Sequence, residues 1–174
     1  MLAKNLVTDS EEHGLISGYA SLFNIADLSN DVVEKGAFQN SLKSQYLRKI
    51  QLLFQHDPDQ PIGSWHKIVE DKKGLYVEGK LTLNNARAKD IHALIVAGAI
   101  EGLSIGFKTK RSRKNPKTGA RHIIEAELWE ISIVTFPMLP SARIDHVKSA
   151  IIPFSKFDTQ IAQLIRKASE KLKN

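Results

Sequence analysis

The segment Ile105 to Phe136, "IGFKTKRSRKNPKTGARHIIEAELWEISIVTF", constrains the fold most. It reads as a long β-hairpin: a strand, a basic turn around "NPKTG", and a return strand rich in β-branched and aromatic residues. On the return strand Leu128, Glu130, Ser132, Val134 and Phe136 share parity, so they share a face. A carboxylate in that apolar row is costly unless something pairs with it, so Glu130 should have a partner, and a protonatable imidazole suits it.

Other segments extend the β pattern. "GLISGYASLFN", from Gly14 to Asn24, reads as a strand that runs into the polar loop "ADLSND". Asp27, Ser29 and Asp31 in that loop imitate the start of a calcium-binding loop, but Val32 and Phe38 stand where Gly and Glu are needed. "KGAFQNSLKSQ" has the look of a turn and a short helix. In "KIQLLFQHDP" the residues Ile50, Leu52, Phe54 and His56 alternate, which places His56 at the end of an apolar face, and Asp57-Pro58 is expected to stop the strand there. "HKIVEDKKGLYVEGKLTL" reads as a second hairpin turning at "DKKG", with Leu75, Val77, Leu81 and Leu83 alternating.

The period then changes. Ile91, Leu94, Ile95, Gly98 and Ala99 recur at helical spacing behind an N-cap at Asn84 or Asn85, which gives a helix of about three to four turns. It leads into "EGLSIGF". From Asp158 onward Ile161, Leu164, Ile165, Ala168 and Leu172 form the apolar face of an amphipathic helix with a lysine-rich end. Residues 1–150 are therefore expected to form one domain, with 151–174 a helix or tail. The fold class expected is mainly β with helices (α+β): a closed, mostly antiparallel β-barrel of about six or seven strands with a few helices outside.

With 174 residues and 42% hydrophobic content the chain can bury one sizeable core. No run of about 18 apolar residues and no signal pattern stands in the sequence, so no membrane association is expected and a cytoplasmic site of synthesis is the default. Having no cysteine, the chain has no disulfides, thiolate metal sites or cysteine nucleophile. The formal charge of +6 is concentrated locally, in "KTKRSRKNPKTGARH" and the C-terminal tail. The basic hairpin fits a solvated turn, or a contact with acidic helices or nucleic acid. It lacks interleaved aromatics, which disfavours nucleic acid.

"GLSIG" matches the G-x-S-x-G pattern of an esterase elbow, in which a strand precedes the serine and a helix follows. Here the helix comes first and the strand second, and His56 precedes Ser104, so that fold is rejected. The chemistry survives on other scaffolds, because nucleophile, base and orienting group recur in different chain orders. Each residue also has a structural role open to it: Ser104 as a turn residue, His56 as a strand cap, Glu130 as an outward-facing edge residue.

Taken in order, "GYASLFNIADLSNDVVEKGAFQNSL", "LLFQHDPDQPIGSW", "GLYVEGKLTL", "AIEGLSIGFKTK" and "ELWEISIVTFPMLPSARI" resemble the tailed-phage prohead maturation proteases, a family similar in fold to herpesvirus assemblin. The resemblance runs from about Gly14 to Ile144. It implies a serine endopeptidase with His56 in "FQHDP" as general base, Ser104 in "GLSIGF" as nucleophile and Glu130 in "WEISIVTFP" as the residue that orients the histidine. Assemblin-like enzymes can use a second histidine in the third role, so His92, His122 and His146 compete with Glu130 for it, as does Glu127. The implied substrates are the scaffold and the N-terminal segment of the major capsid protein, cut inside the procapsid in the bacterial host cytoplasm, with self-cleavage. No cofactor is implied, and a homo-oligomer is open. The competing readings are a non-catalytic procapsid or scaffold-binding component with a protease-like fold and, more weakly, a small basic nucleic-acid-binding barrel.

Overall fold

The long hairpin is the spine of the molecule in the computed structural model, which describes residues 13–44 and 50–148. Its arms are β6 (Gly102–Lys114) and β7 (Arg121–Val134), paired antiparallel with Ser104 opposite Ser132 and Gly106 opposite Glu130. The turn closes where expected. Asn115 Oδ1 accepts from Lys117 N–H at 3.0 Å, the Asn115 N–H donates to Ala120 O at 2.8 Å, and Gly119 takes the left-handed φ of 74°.

The second edge of β7 is shared by two short strands, β2 (Asp31–Val33) along residues 121–123 and β3 (Gln51–Phe54) along residues 130–133. Both pair parallel to it, so the sheet is more mixed than the sequence pattern suggests. From β3 the order continues through β4 (Asp57–Glu70), β5 (Gly74–Leu81), β1 (Leu15–Leu22) and β8 (Ile144–Val147). The β4–β5 hairpin turns at Asp71, whose carboxylate accepts from the Lys73 and Gly74 N–H groups. Leu75, Val77 and Leu81 are buried on one face, as their alternation predicts.

The structure corrects the closed barrel. Among the described residues the sheet has eight strands and is curled but open. Its ends approach at one isolated bridge, Gly102 to Arg143, with backbone hydrogen bonds from Leu103 N–H to Ala142 O and from Ile144 N–H to Glu101 O. No continuous ladder joins β6 to β8 among the described residues, because β8 is only four residues long and pairs with β1.

Asp57-Pro58 also behaves differently from expectation. The chain reverses at Gln55-His56 and β4 begins at Asp57. The ladder pairs Phe54 with Asp57 and Leu53 with Pro61, so Pro58 sits in a bulge, where no ladder N–H is required of it.

Among the described residues two helices cover the sheet only in part. The first, α1 (Gln39–Ser44), is short. The second, α2 (Ala86–Val96), starts at Asn85, whose side chain accepts from Arg87 N–H, and ends at Gly98 in the left-handed region. The Gly98 N–H donates to Ile95 O and the Ala99 N–H to Leu94 O, the paired bonds of a Schellman motif. Ala88, Ile91 and Ile95 face the core, whereas Leu94 is largely exposed, so the buried stripe is narrower than the periodicity predicts.

Among the described residues the main core cluster almost completely buries Phe38, Leu52, Ile62, Leu75, Leu103, Ile123, Leu128, Ile131 and Ile133, and a smaller cluster joins Leu22, Leu139 and Ala142. Each such side chain contributes roughly 1.5–3 kcal/mol. The described residues from Gly14 to Lys148 form one compact unit. The expected C-terminal amphipathic helix and the boundary at 150/151 lie outside the described residues.

Candidate active site

His56 owes its position to a tight turn. Because Phe54 pairs with Asp57, only Gln55 and His56 remain in the loop, and both take left-handed φ values, 57° and 59°. Two-residue hairpins favour this geometry because it matches strand twist, but non-glycine residues pay a strain of roughly 1–3 kcal/mol each for it. Bonds to β7 and the residue beyond it hold them there. The Gln55 N–H donates to Ile133 O at 3.0 Å, the Gln55 amide donates to Thr135 Oγ1 at 2.6 Å, and the His56 N–H donates to Ser132 Oγ at 3.1 Å.

Glu130 is placed by β7 and by the absence of a side chain opposite. A Cβ built on Gly106 would stand 2.2 Å from Glu130 Oε1, so the carboxylate lies directly over the bare backbone of that glycine. There Oε1 meets His56 Nδ1 at 2.6 Å, and Oε2 accepts from the Ser132 hydroxyl at 2.6 Å. The imidazole side chain is 44% exposed and the carboxylate 13%. An ionised carboxylate only accepts, so the pair places the imidazole proton on Nδ1 and leaves the Nε2 lone pair available. The hydrogen bond to Glu130 raises the pKa of His56 above its ordinary value, against the opposing effect of burial.

Ser104 approaches from the other side of β7. It is the third residue of β6, 6% exposed, and its side chain emerges on the same face as Ser132 and Glu130. The strand β7 thus carries the Glu130 carboxylate, with the His56 imidazole on a turn tied to one edge and Ser104 on the strand along the other. Ser104 also lines a cavity of about 160 Å³ with Leu22, Ile25, Phe107, Met138 and Leu139, and with Asp27 and Asp31. Among the described residues no hydrogen bond joins Ser104 to His56. The structure therefore unites His56 with Glu130 and sets Ser104 on the shared face nearby.

The competing residues are engaged elsewhere. His122 Nδ1 lies 2.9 Å from Glu34, which also accepts from Arg113. His92 Nε2 meets Lys148 O, His146 is on β8 opposite Ser17, and Glu127 pairs with Lys110. Asp27 and Asp31 have structural partners as well: Asp27 accepts from the Ser29 and Asp31 N–H groups, and Arg121 binds the Asp31 carboxylate through two nitrogens. No cluster of three or more His, Cys, Asp or Glu residues suited to a metal occurs among the described residues. Sequence reasoning did not find the parts played by Gln55, Gly106 and Ser132. The available signal was a second polar residue, Ser132, two places from Glu130 on an otherwise apolar row.

A family model for the caudovirus prohead serine protease matches residues 3–157. The chain belongs to this family. Relatives include the prohead protease of Enterobacteria phage HK97, 39% identical over 145 residues, which cover 82% of this chain and 64% of that protein. The capsid polyprotein of Pseudomonas phage PAJU2 is 34% identical over 146 residues, 80% of this chain and 21% of that one. The prohead protease of Escherichia phage T5 is 28% identical, over 84% of this chain and 69% of its own length. The family member described here therefore spans just under two thirds of the HK97 protein. Its fold is similar to that of the bacteriophage T4 capsid assembly protease, with a TM-score of 0.58, 14% identity, and coverage of 69% of this chain and 80% of that one. The Kaposi's sarcoma herpesvirus (KSHV) protease gives a TM-score of 0.56 at 12% identity, covering 90% and 76%.

Proposed function

We propose that this prohead protease family member is a serine endopeptidase of head maturation, with Ser104 as nucleophile, His56 as general base and Glu130 as the group that orients the base. The observation that carries the reading is the 2.6 Å contact between His56 Nδ1 and Glu130 Oε1 on the face that also bears Ser104. A serine hydroxyl is a weak nucleophile at neutral pH. The unprotonated Nε2 of His56 takes its proton as Oγ attacks the scissile carbonyl, and Glu130 stabilises the imidazolium that forms. The same imidazolium then protonates the leaving amine, and water repeats the cycle on the acyl-enzyme. The Ser104–His56 bond forms as substrate seats, a tightening common in catalytic sites.

The proposed substrates are the major capsid protein and its scaffold segment, cut inside the procapsid in the bacterial cytoplasm, with cleavage of the protease itself. The PAJU2 relative, a capsid polyprotein, supports a capsid substrate, since a sequence of this kind is there part of the same chain as capsid.

Co-expression of wild type and Ser104→Ala with the cognate capsid protein tests the reading by product size. Wild type yields shortened capsid protein, and Ser104→Ala lowers the rate by about three orders of magnitude or more. Undiminished cleavage in the alanine variant sinks the assignment. An inert wild type inside assembled procapsids favours the non-catalytic procapsid component.

A further inference from the structure

We propose that Ser132 is a positioning residue that sets the main chain of His56 and the carboxylate of Glu130 together. Its hydroxyl is fully buried, so it cannot touch a substrate. It accepts from the His56 N–H at 3.1 Å. A backbone N–H can only donate, so the hydroxyl hydrogen must point elsewhere, and Glu130 Oε2 receives it at 2.6 Å. The other oxygen of that carboxylate holds His56 Nδ1. The three bonds close a ring that leaves His56 through its main chain and returns through its imidazole.

This ring has consequences that neither half has alone. Without the hydroxyl, the His56 N–H and Glu130 Oε2 would each lose the partner they have here. The turn would lose one of its ties to β7, and the carboxylate would be free to rotate about its last torsion. Hydroxyl orientation also fixes polarity: with Oε2 occupied by a donor, Oε1 is the oxygen presented to Nδ1, and Nε2 is left as the nitrogen that can take a proton. An error of about 1 Å in such a base can cost about 100-fold in rate.

The inference rests on the protease reading, so its test needs one arm that depends on catalysis and one that does not. The catalytic arm is the rate at which a fluorophosphonate probe labels the purified full-length chain. The other is the His56 Nδ1–H resonance in a protein carrying ¹⁵N-histidine. For Ser132→Ala we expect labelling roughly 10- to 100-fold slower, a melting temperature near that of wild type, and a Nδ1–H signal broadened by exchange. Ser132→Thr, which keeps the hydroxyl, recovers the labelling and the signal. If the alanine variant does not fold, Ser132→Cys, close in volume and a weak donor, is expected to show the same losses. A folded Ala or Cys variant with wild-type labelling and an unchanged Nδ1–H signal overturns the proposal. Failure of wild type to be labelled, or labelling that persists in Ser104→Ala, sinks the protease reading instead. In that event the resonance alone decides on Ser132, and an unchanged signal in the variant overturns its role.

Discussion

At the scale of single residues, the most informative position is one with no side chain. Gly106 leaves room for the Glu130 carboxylate, and a methyl there would stand 2.2 Å from Oε1. The atoms in the way belong to the end of a flexible side chain, so the carboxylate moves and the sheet does not. Gly106→Ala should therefore keep a melting temperature close to wild type while cleavage falls by about 100-fold, a split that parallel thermal and activity assays would reveal. Glu130→Gln tests the same contact by charge. In the proposed mechanism proton uptake from Ser104 needs neutral His56, so activity is expected to rise with pH through the raised His56 pKa. With the carboxylate gone that pKa falls, so the acid limb of the kcat profile should move to lower pH as the plateau drops by about 10²- to 10⁴-fold. The stability linkage has a definite sign. A histidine whose pKa is raised by folding stabilises fully below its unfolded pKa of about 6.5 and loses that contribution as pH rises through the folded value. The pH-dependent part of the stability gap between wild type and Glu130→Gln should therefore shrink as pH rises from about 5 to about 8, measurable by urea titration at each pH.

At the scale of elements, helix α2 delivers the chain to Ser104, and its stop signal governs where β6 begins. Gly98 has φ 71°, and a Cβ added to it would meet nothing within 4 Å, so the penalty for Gly98→Ala is conformational alone. Loss of about 1 kcal/mol of stability is expected, read as a shift in urea midpoint with unchanged slope. This element was legible in the sequence because it has both a period and caps. So were the two hairpins, whose turns at "DKKG" and "NPKTG" use the residues such turns require. The strands β2 and β8 were not legible. At three and four residues they are too short to show a period, and each is defined by its partner rather than by its own sequence. The His56 turn was misread for a related reason. Asp57-Pro58 is a strong local breaker, yet the bonds of Gln55 to Ile133 and Thr135 fix the reversal two residues earlier. The acid in an apolar row was readable as needing a partner, and His56 is that partner. The bare backbone of Gly106 and the hydroxyl of Ser132 complete the site through register across strands, which one strand's sequence cannot display.

At the scale of the whole molecule, stability depends on close backbone approaches along the curled sheet. A Cβ on Gly18 would lie 2.1 Å from Arg143 O and 2.9 Å from Ile144 Cα, and main chain cannot swing aside as a carboxylate can. Gly18→Ala should accordingly cost about 1–3 kcal/mol. It should also speed proteolytic nicking between Thr135 and Lys148, because it pushes β8 away from β1 where the open sheet is held by few bonds. Limited proteolysis followed by mass spectrometry would show the site.

The contact between His56 and Glu130 joins residues 74 positions apart, through parallel pairing of β3 with β7. Pairing at that separation closes a long loop, which adds to the entropic cost of forming this contact. A ribosome that has released β3, β4 and β5 has not yet supplied the acid. Until β7 is made, the Gln55-His56 turn lacks the bonds from Ser132, Ile133 and Thr135 that hold it, and the His56 imidazole lacks its carboxylate partner. The contact therefore cannot assemble until the last long strand is made, after most of the described fold has emerged, and the proposed activity waits on that strand.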